Sequence, residues 1–116
     1  MLKKIEGYIQ PSRLEPLKDA LTEAGVSGMT VYPVQGFGRQ LGYRAGEDGS
    51  SGRAKAKFTD KMKLEIVVDE AQTDQIVQII IDLAQTGSIG AGKVFVSPIE
   101  DAVRIGTREV GRAALH

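Results

Sequence analysis

The chain has 116 residues, with 15 Lys and Arg against 15 Asp and Glu, so its net charge is zero. Neutrality argues against a general nucleic-acid binder, which needs a basic footprint, and the lack of cysteine excludes disulfides and thiolate chemistry. A chain this short predicts one domain, 1–116, and with aromatics at 5% its core must come from Ile, Leu, Val and Ala.

No apolar run approaches the roughly 20 residues that cross a bilayer. Lys3, Lys4 and Glu6 interrupt the N-terminus, so no signal peptide is expected and the reading is a cytoplasmic protein. Residues 3–10 alternate, with Ile5, Gly7 and Ile9 on one face, which predicts a strand ended by Pro11. Ser12 and Glu15 have capping-box spacing. Leu14, Leu17, Leu21 and Ala24 then predict a helix closed by Gly25. Residues 29–37 predict a second strand anchored by Val31, Val34 and Phe37; Pro33 inside it suggests an edge or a bulge. Met62, Leu64, Ile66 and Val68 predict a third strand over 62–68. Asp69 and Gln72 suggest a cap for a second helix with the stripe Ile76, Ile79, Ile80 and Leu83. Residues 93–99 predict a fourth strand. The order βαββαβ is the α+β, ferredoxin-like sandwich, whose sheet has one face left for an oligomer to cover.

Residues 40–60 are too long for a hairpin turn and hold Gly42, Gly46, Gly49 and Gly52. Long loops in small domains are functional or disordered. From 39 to 63 there are seven basic and three acidic residues, a local balance of +4 (7 − 3). A solvated excursion and an anion- or partner-binding arm both fit.

The segment Thr86-Gly87-Ser88-Ile89-Gly90-Ala91-Gly92-Lys93 carries the most chemistry. It has the G-x-x-x-x-G-K spacing of a P-loop but fails as one. Val94 lacks the magnesium-binding hydroxyl, and a helix precedes the loop where a P-loop has a strand. Glycine amides can still form an anion nest, with Lys93 as a point charge; the alternative is an ordinary connection with Gly87 as a helix cap. Gly36, Gly38, Arg39 and Gln40 form a second Gly-rich element where the long loop departs. Arg104, Arg108 and Arg112 recur every four residues, as on a solvated helical face, with Arg104 a candidate phosphate ligand. The only His is His116, and no catalytic triad, metal-ligand cluster or carboxylate pair stands out. The expectation is a binding protein, not an enzyme.

These elements resemble the PII signal-transduction family. The resemblance rests on Gly28-Met29-Thr30-Val31, Gly36-Phe37-Gly38-Arg39-Gln40, Lys63-Leu64-Glu65-Ile66-Val67-Val68 and the run from Thr86 to Pro98. It implies a homotrimer with ADP, AMP or ATP in inter-subunit clefts, magnesium entering only with ATP. Residues 40–60 would be its T-loop, 86–93 its B-loop and 100–116 a C-terminal segment. By position, Gly90, Ala91, Gly92 and Lys93 would cradle phosphates, with Gly36, Gly38, Arg39, Gln40 and Val67 on the same side. Gly28, Met29, Thr30 and Arg104 would come from the neighbouring subunit. Gln40, Lys61 and Lys93 would hold an anionic effector, 2-oxoglutarate or bicarbonate. The T-loop would act on a protein partner, for example a membrane transporter.

The departures point to a specialised member. No Tyr stands near the loop apex, so uridylylation is not expected; Ser50 and Ser51 are candidate phosphorylation sites. Ala91 replaces an acidic residue, Gln10 a common Lys, and Gly106 a second phosphate-binding Arg for which Arg108 could compensate. One lost charged hydrogen bond costs roughly 1.5–3 kcal/mol, one to two decades in affinity. ADP or AMP should therefore compete with ATP, with weak 2-oxoglutarate sensing, a pattern that resembles the bicarbonate-linked, carboxysome-associated PII-like proteins. The alternatives are a conventional nitrogen-regulatory PII that senses ATP and 2-oxoglutarate and, last, a weak nucleotide hydrolase.

Overall fold

A computed structural model describes residues 1–37, 57–87 and 91–116. Four strands, β1 (Leu2–Ile9), β2 (Thr30–Gly36), β3 (Thr59–Asp69) and β4 (Gly92–Ile99), pair antiparallel in the order β2-β3-β1-β4. Two helices, α1 (Leu14–Glu23) and α2 (Thr73–Ala84), complete the expected ferredoxin-like order. Pro33 lies in β2, an edge strand as expected, where its missing donor costs little.

The core follows the two periodicities. Ile5 and Ile9 of β1 and Leu64, Ile66 and Val68 of β3 face Leu17 and Leu21 of α1 and Ile76, Ile80 and Ala84 of α2. Ile79 and Leu83 only flank this cluster, because Ala84 completes the buried stripe one turn after Ile80. Met62 also packs against it. The second strand differs from expectation. Val31 pairs with Leu64 and Val34 with Lys61, so these two valines lie on opposite faces of the sheet, and Phe37 stands beyond the strand, 60% exposed.

Both helix starts correct the capping expectations. A 3-10 turn, Pro11–Arg13, precedes α1, and no side chain caps that helix, so Ser12 and Glu15 form no capping box. Glu15 instead pairs with Lys18 at 2.8 Å. A second 3-10 turn, Glu70–Gln72, leads into α2, and neither Asp69 nor Gln72 supplies a side-chain cap. Residue Gly25 does close α1. The Val26 amide donates to the Leu21 carbonyl and the Gly25 amide to that of Thr22, with Gly25 at φ +97. Helix α2 ends on extended Gln85; Gly87, at φ +76, bends the chain two residues later and is not its cap.

The face of the sheet opposite the helices carries a charge lattice. The Lys63 ammonium lies 3.0 Å from Glu6 and 3.4 Å from Glu65, and Lys4 lies 3.5 Å from Glu6 and 3.8 Å from Glu65. The Tyr32 hydroxyl donates to Glu65 at 3.1 Å, and Lys63 sits over the rings of Tyr8 and Tyr32. The Tyr32 hydroxyl and the Glu6 carboxylate hold Lys63 well above the usual lysine range. Lys63, aided by Lys4 and opposed by burial, holds Glu6 below the ordinary 4.5. A depressed carboxylate stabilises the fold above its unfolded pKa, and that contribution is lost as pH falls through the folded value. The Glu6 carboxyl carbon, followed by NMR, should titrate below 4.5 and move back toward it in Lys63→Met. A Glu6 midpoint unchanged by that substitution would show that the lattice leaves the carboxylate untuned.

Candidate functional site

The expected site residues collect at two ends of one sheet. At one end β2 and β3 converge on the long loop and β4 begins. Gly36 pairs with Thr59, Val34 with Lys61, and Gly92 with Ile9. Lys93, opposite Tyr8, is exposed and pairs with no carboxylate among the described residues. Lys61 lies in a shallow groove with Val34, Gln35 and Asp60. Gly38, Arg39, Gln40, Ser50, Ser51 and Gly90 lie outside the described residues.

Gly92 is there for a reason beyond anion binding. It sits at φ +119, and a Cβ built on it would lie 1.7 Å from the Tyr8 carbonyl oxygen. Only glycine lets β4 start this close to β1. Gly36 differs, with nothing within 4 Å of such a Cβ.

At the other end a cleft of about 580 Å³ brings together Gly28, Met29, Thr30, Val67 and Arg104, five of the expected nucleotide ligands. Each comes from a different local cause. The α1 terminus at Gly25 turns the chain into the connecting segment 26–29, which enters β2 at Thr30. Val67 is the β3 residue opposite Lys4 on the open face. Arg104 follows β4 in a small hairpin closed by the Val103–Val110 bridge, where its amide donates to the Glu109 carbonyl at 2.8 Å. The arginines at 104, 108 and 112 thus share no helical face. Arg108 sits at φ +65, and Arg112 lies 3.6 Å from Asp69. Gly106 is exposed, so no side chain stands where a second phosphate-binding Arg was expected.

Val67 lies far along its strand from the Gly36 end. Thr59, the partner of Gly36, is eight residues from Val67 on β3, about 26 Å along the strand. Within one chain Val67 therefore lines the cleft with Gly28 and Arg104 and stands far from Gly36. Lys93 also lies away from this cleft, since the Lys63 level of the sheet is four residues from Val67, about 13 Å.

Arg104 offers the cleft an unsatisfied donor suited to an anion. Its Nε is buried with no hydrogen-bond partner, and the Glu109 carboxylate, at 4.0 Å, is beyond hydrogen-bonding reach. A phosphate oxygen would satisfy that donor with the charge-assisted geometry guanidinium groups favour. The sequence reading missed Lys4, Ser27, Glu65 and the tail residues Ala114, Leu115 and His116, all of which line the cleft. The alternation of Lys4, Glu6, Lys63 and Glu65 on open-face strand positions was the signal for two of them. Nothing in the weakly patterned tail indicated the rest.

Comparison with known proteins places these features in a family. The family model described as nitrogen regulatory protein P-II matches residues 2–109. The nitrogen regulatory protein P-II of Synechocystis is 46% identical over 114 residues, covering 98% of this chain and all of its own length. That of Haemophilus influenzae is 43% identical over the same span, again covering 98% of this chain and all of its own. Among solved structures, the B. subtilis GlnK–ATP complex has a TM-score of 0.81 at 32% identity, covering 98% of this chain and 97% of that one. The Arabidopsis thaliana PII bound to citrate has a TM-score of 0.78 at 37% identity, covering 97% and 91%. The chain belongs to the nitrogen regulatory protein P-II family, a family of signal-transduction regulators.

Proposed function

We propose that this chain is a cytoplasmic homotrimer that binds an adenine nucleotide between adjacent subunits and reports it to a protein target through residues 40–60. One observation carries the reading: the anion-seeking Arg104 cleft and the Lys93 loop stand at opposite ends of a single sheet. A ligand that touches both is well served by a site shared between two copies of the chain. The related GlnK was solved with ATP, which agrees with an adenine nucleotide as that ligand. The open face of the sheet, with balanced charges, suits contact with another copy of itself.

Gly106 in place of a second arginine favours ADP or AMP as strong competitors of ATP. The relatives are named for nitrogen regulation, which makes 2-oxoglutarate the first effector to test. Bicarbonate, with a role in carbon uptake or carboxysomes, is the second reading, and Gly106 and Ala91 are the departures that favour it. The test is a calorimetric matrix of ATP with magnesium, ADP and AMP, each with and without 2-oxoglutarate and bicarbonate. ADP should bind within about tenfold of ATP, a gap smaller than one charged hydrogen bond would otherwise open. Tight ATP binding that depends on 2-oxoglutarate would overturn the nucleotide ranking and return the chain to conventional nitrogen sensing. Phosphate release from ATP abolished by Lys93→Ala would instead reveal a hydrolase.

A further inference from the structure

We propose that the C-terminal segment 112–116 is a strap that occupies the Arg104 cleft and must leave when a nucleotide phosphate arrives. The inference rests on the nucleotide reading of that cleft and adds its regulation. A guanidinium Nη of Arg104 donates to the His116 carbonyl, and the Ser27 hydroxyl donates to the Leu115 carbonyl. Ala114, Leu115 and His116 thereby form one wall of the cleft that holds Gly28, Met29 and Thr30. The group best suited to a phosphate is already engaged by the chain's own backbone.

The strap and its anchor differ in how firmly they are held. Hairpin 102–111 is tied by backbone bonds: Arg104 to Glu109 at 2.8 Å, Arg108 to Arg104 at 2.8 Å and Gly111 to Ala102 at 2.9 Å. Beyond Gly111, at φ +65, the 3-10 turn Gly111–Leu115 buries no residue. It is held to the body by the Ser27 and Arg104 contacts and by the Arg112–Asp69 pair, whose Arg112 side chain is 71% exposed. Such a segment opens at low cost. The His116 carbonyl is also a poor final partner. It engages one donor, while the buried Nε has no hydrogen-bond partner. A phosphate would take both donors with charge assistance. Strap release and nucleotide binding are then coupled, and each must weaken the other by the same factor.

Two measurements on the full chain test this. Hydrogen exchange at 113–116 should quicken when ADP saturates the protein, as the 3-10 turn melts. The double variant Ala114→Gly/Leu115→Gly, which loosens the strap without touching Arg104, should bind ADP about fivefold more tightly, the value of one net hydrogen bond. Tail exchange that slows with ADP, or a glycine variant with wild-type affinity, would overturn the strap and leave nucleotide binding intact. If neither protein binds ADP, AMP or ATP, both the strap and the reading it rests on fall together.

Discussion

Arg104→Ala should lower the affinity for ADP by one to two decades, the value of a charged hydrogen bond to phosphate. The loss should exceed the roughly fivefold gain from a freed strap, because the substitution removes the anion's donor as well as the strap's. The fold should hardly notice. The side-chain partners of Arg104 are Glu109 at 4.0 Å and the His116 carbonyl, in a half-exposed tail, and exposed pairs contribute little. Arg104→Lys keeps the charge but loses the planar fork, so it should recover only part of the affinity. Calorimetry on the three proteins measures the series. Wild-type affinity in Arg104→Ala would place the nucleotide elsewhere.

The same variant tests whether the site is shared. Arg104→Ala disables the cleft at one end of the sheet, and Lys93→Ala disables the loop at the other. If each site joins the cleft of one subunit to the loop of the next, mixed oligomers of the two weak variants contain some interfaces with both wild-type residues. Co-refolded mixtures should then recover ADP binding that neither variant has alone. Sites built within single chains would show no recovery.

How far the sequence foretold these features depended on the physics behind each one. The strands were legible because their period-2 pattern is a burial pattern: Ile5, Ile9, Leu64 and Ile66 alternate in sequence and are buried in the fold. Pro33 pointed to an edge or a bulge because a central ladder does not tolerate a missing donor, and β2 is the edge. Capping was misread because Ser12 and Glu15 have the right spacing for a box, while Pro11 starts a 3-10 turn that shifts the helix start to Leu14. Residues Gly28, Thr30 and Arg104 were grouped through family resemblance; spacing alone could not have joined Arg104 to the other two, since it follows Thr30 by 74 residues (104 − 30). The distance of Val67 from Gly36 was not legible, because sequence motifs carry no register and only the pairing of Gly36 with Thr59 sets it. The tail's place in the cleft depends on a turn at Gly111 and two backbone carbonyls. Backbone acceptors are the same in every residue, so no pattern could announce them.

Gly92→Ala should be the most damaging single substitution outside the hydrophobic core, lowering unfolding free energy by about 3–5 kcal/mol. Two separate costs meet there. A non-glycine residue at φ +119 is strained, by roughly 1–3 kcal/mol. The added methyl would also stand 1.7 Å from the Tyr8 carbonyl oxygen and 2.8 Å from its carbon. Those are backbone atoms of the neighbouring strand, so no rotamer change relieves the contact, and β4 must peel from β1 where their ladder begins. The loss is large against the 5–15 kcal/mol that stabilises a typical domain. Gly36→Ala is the control, because that position has open space and no positive φ; it should shift stability by no more than about 0.5 kcal/mol. Urea unfolding at matched protein concentration compares them, since an oligomer's stability depends on concentration. A Gly92→Ala protein as stable as Gly36→Ala would mean that β4 can begin without close contact to Tyr8. If the expected loss is found, two of the three glycines in segment 86–93 have backbone reasons to be there, Gly87 as a bend at φ +76 and Gly92 as a close approach. The loop's anion chemistry would then fall on Gly90 and on Lys93, which Gly92 holds at the strand entrance.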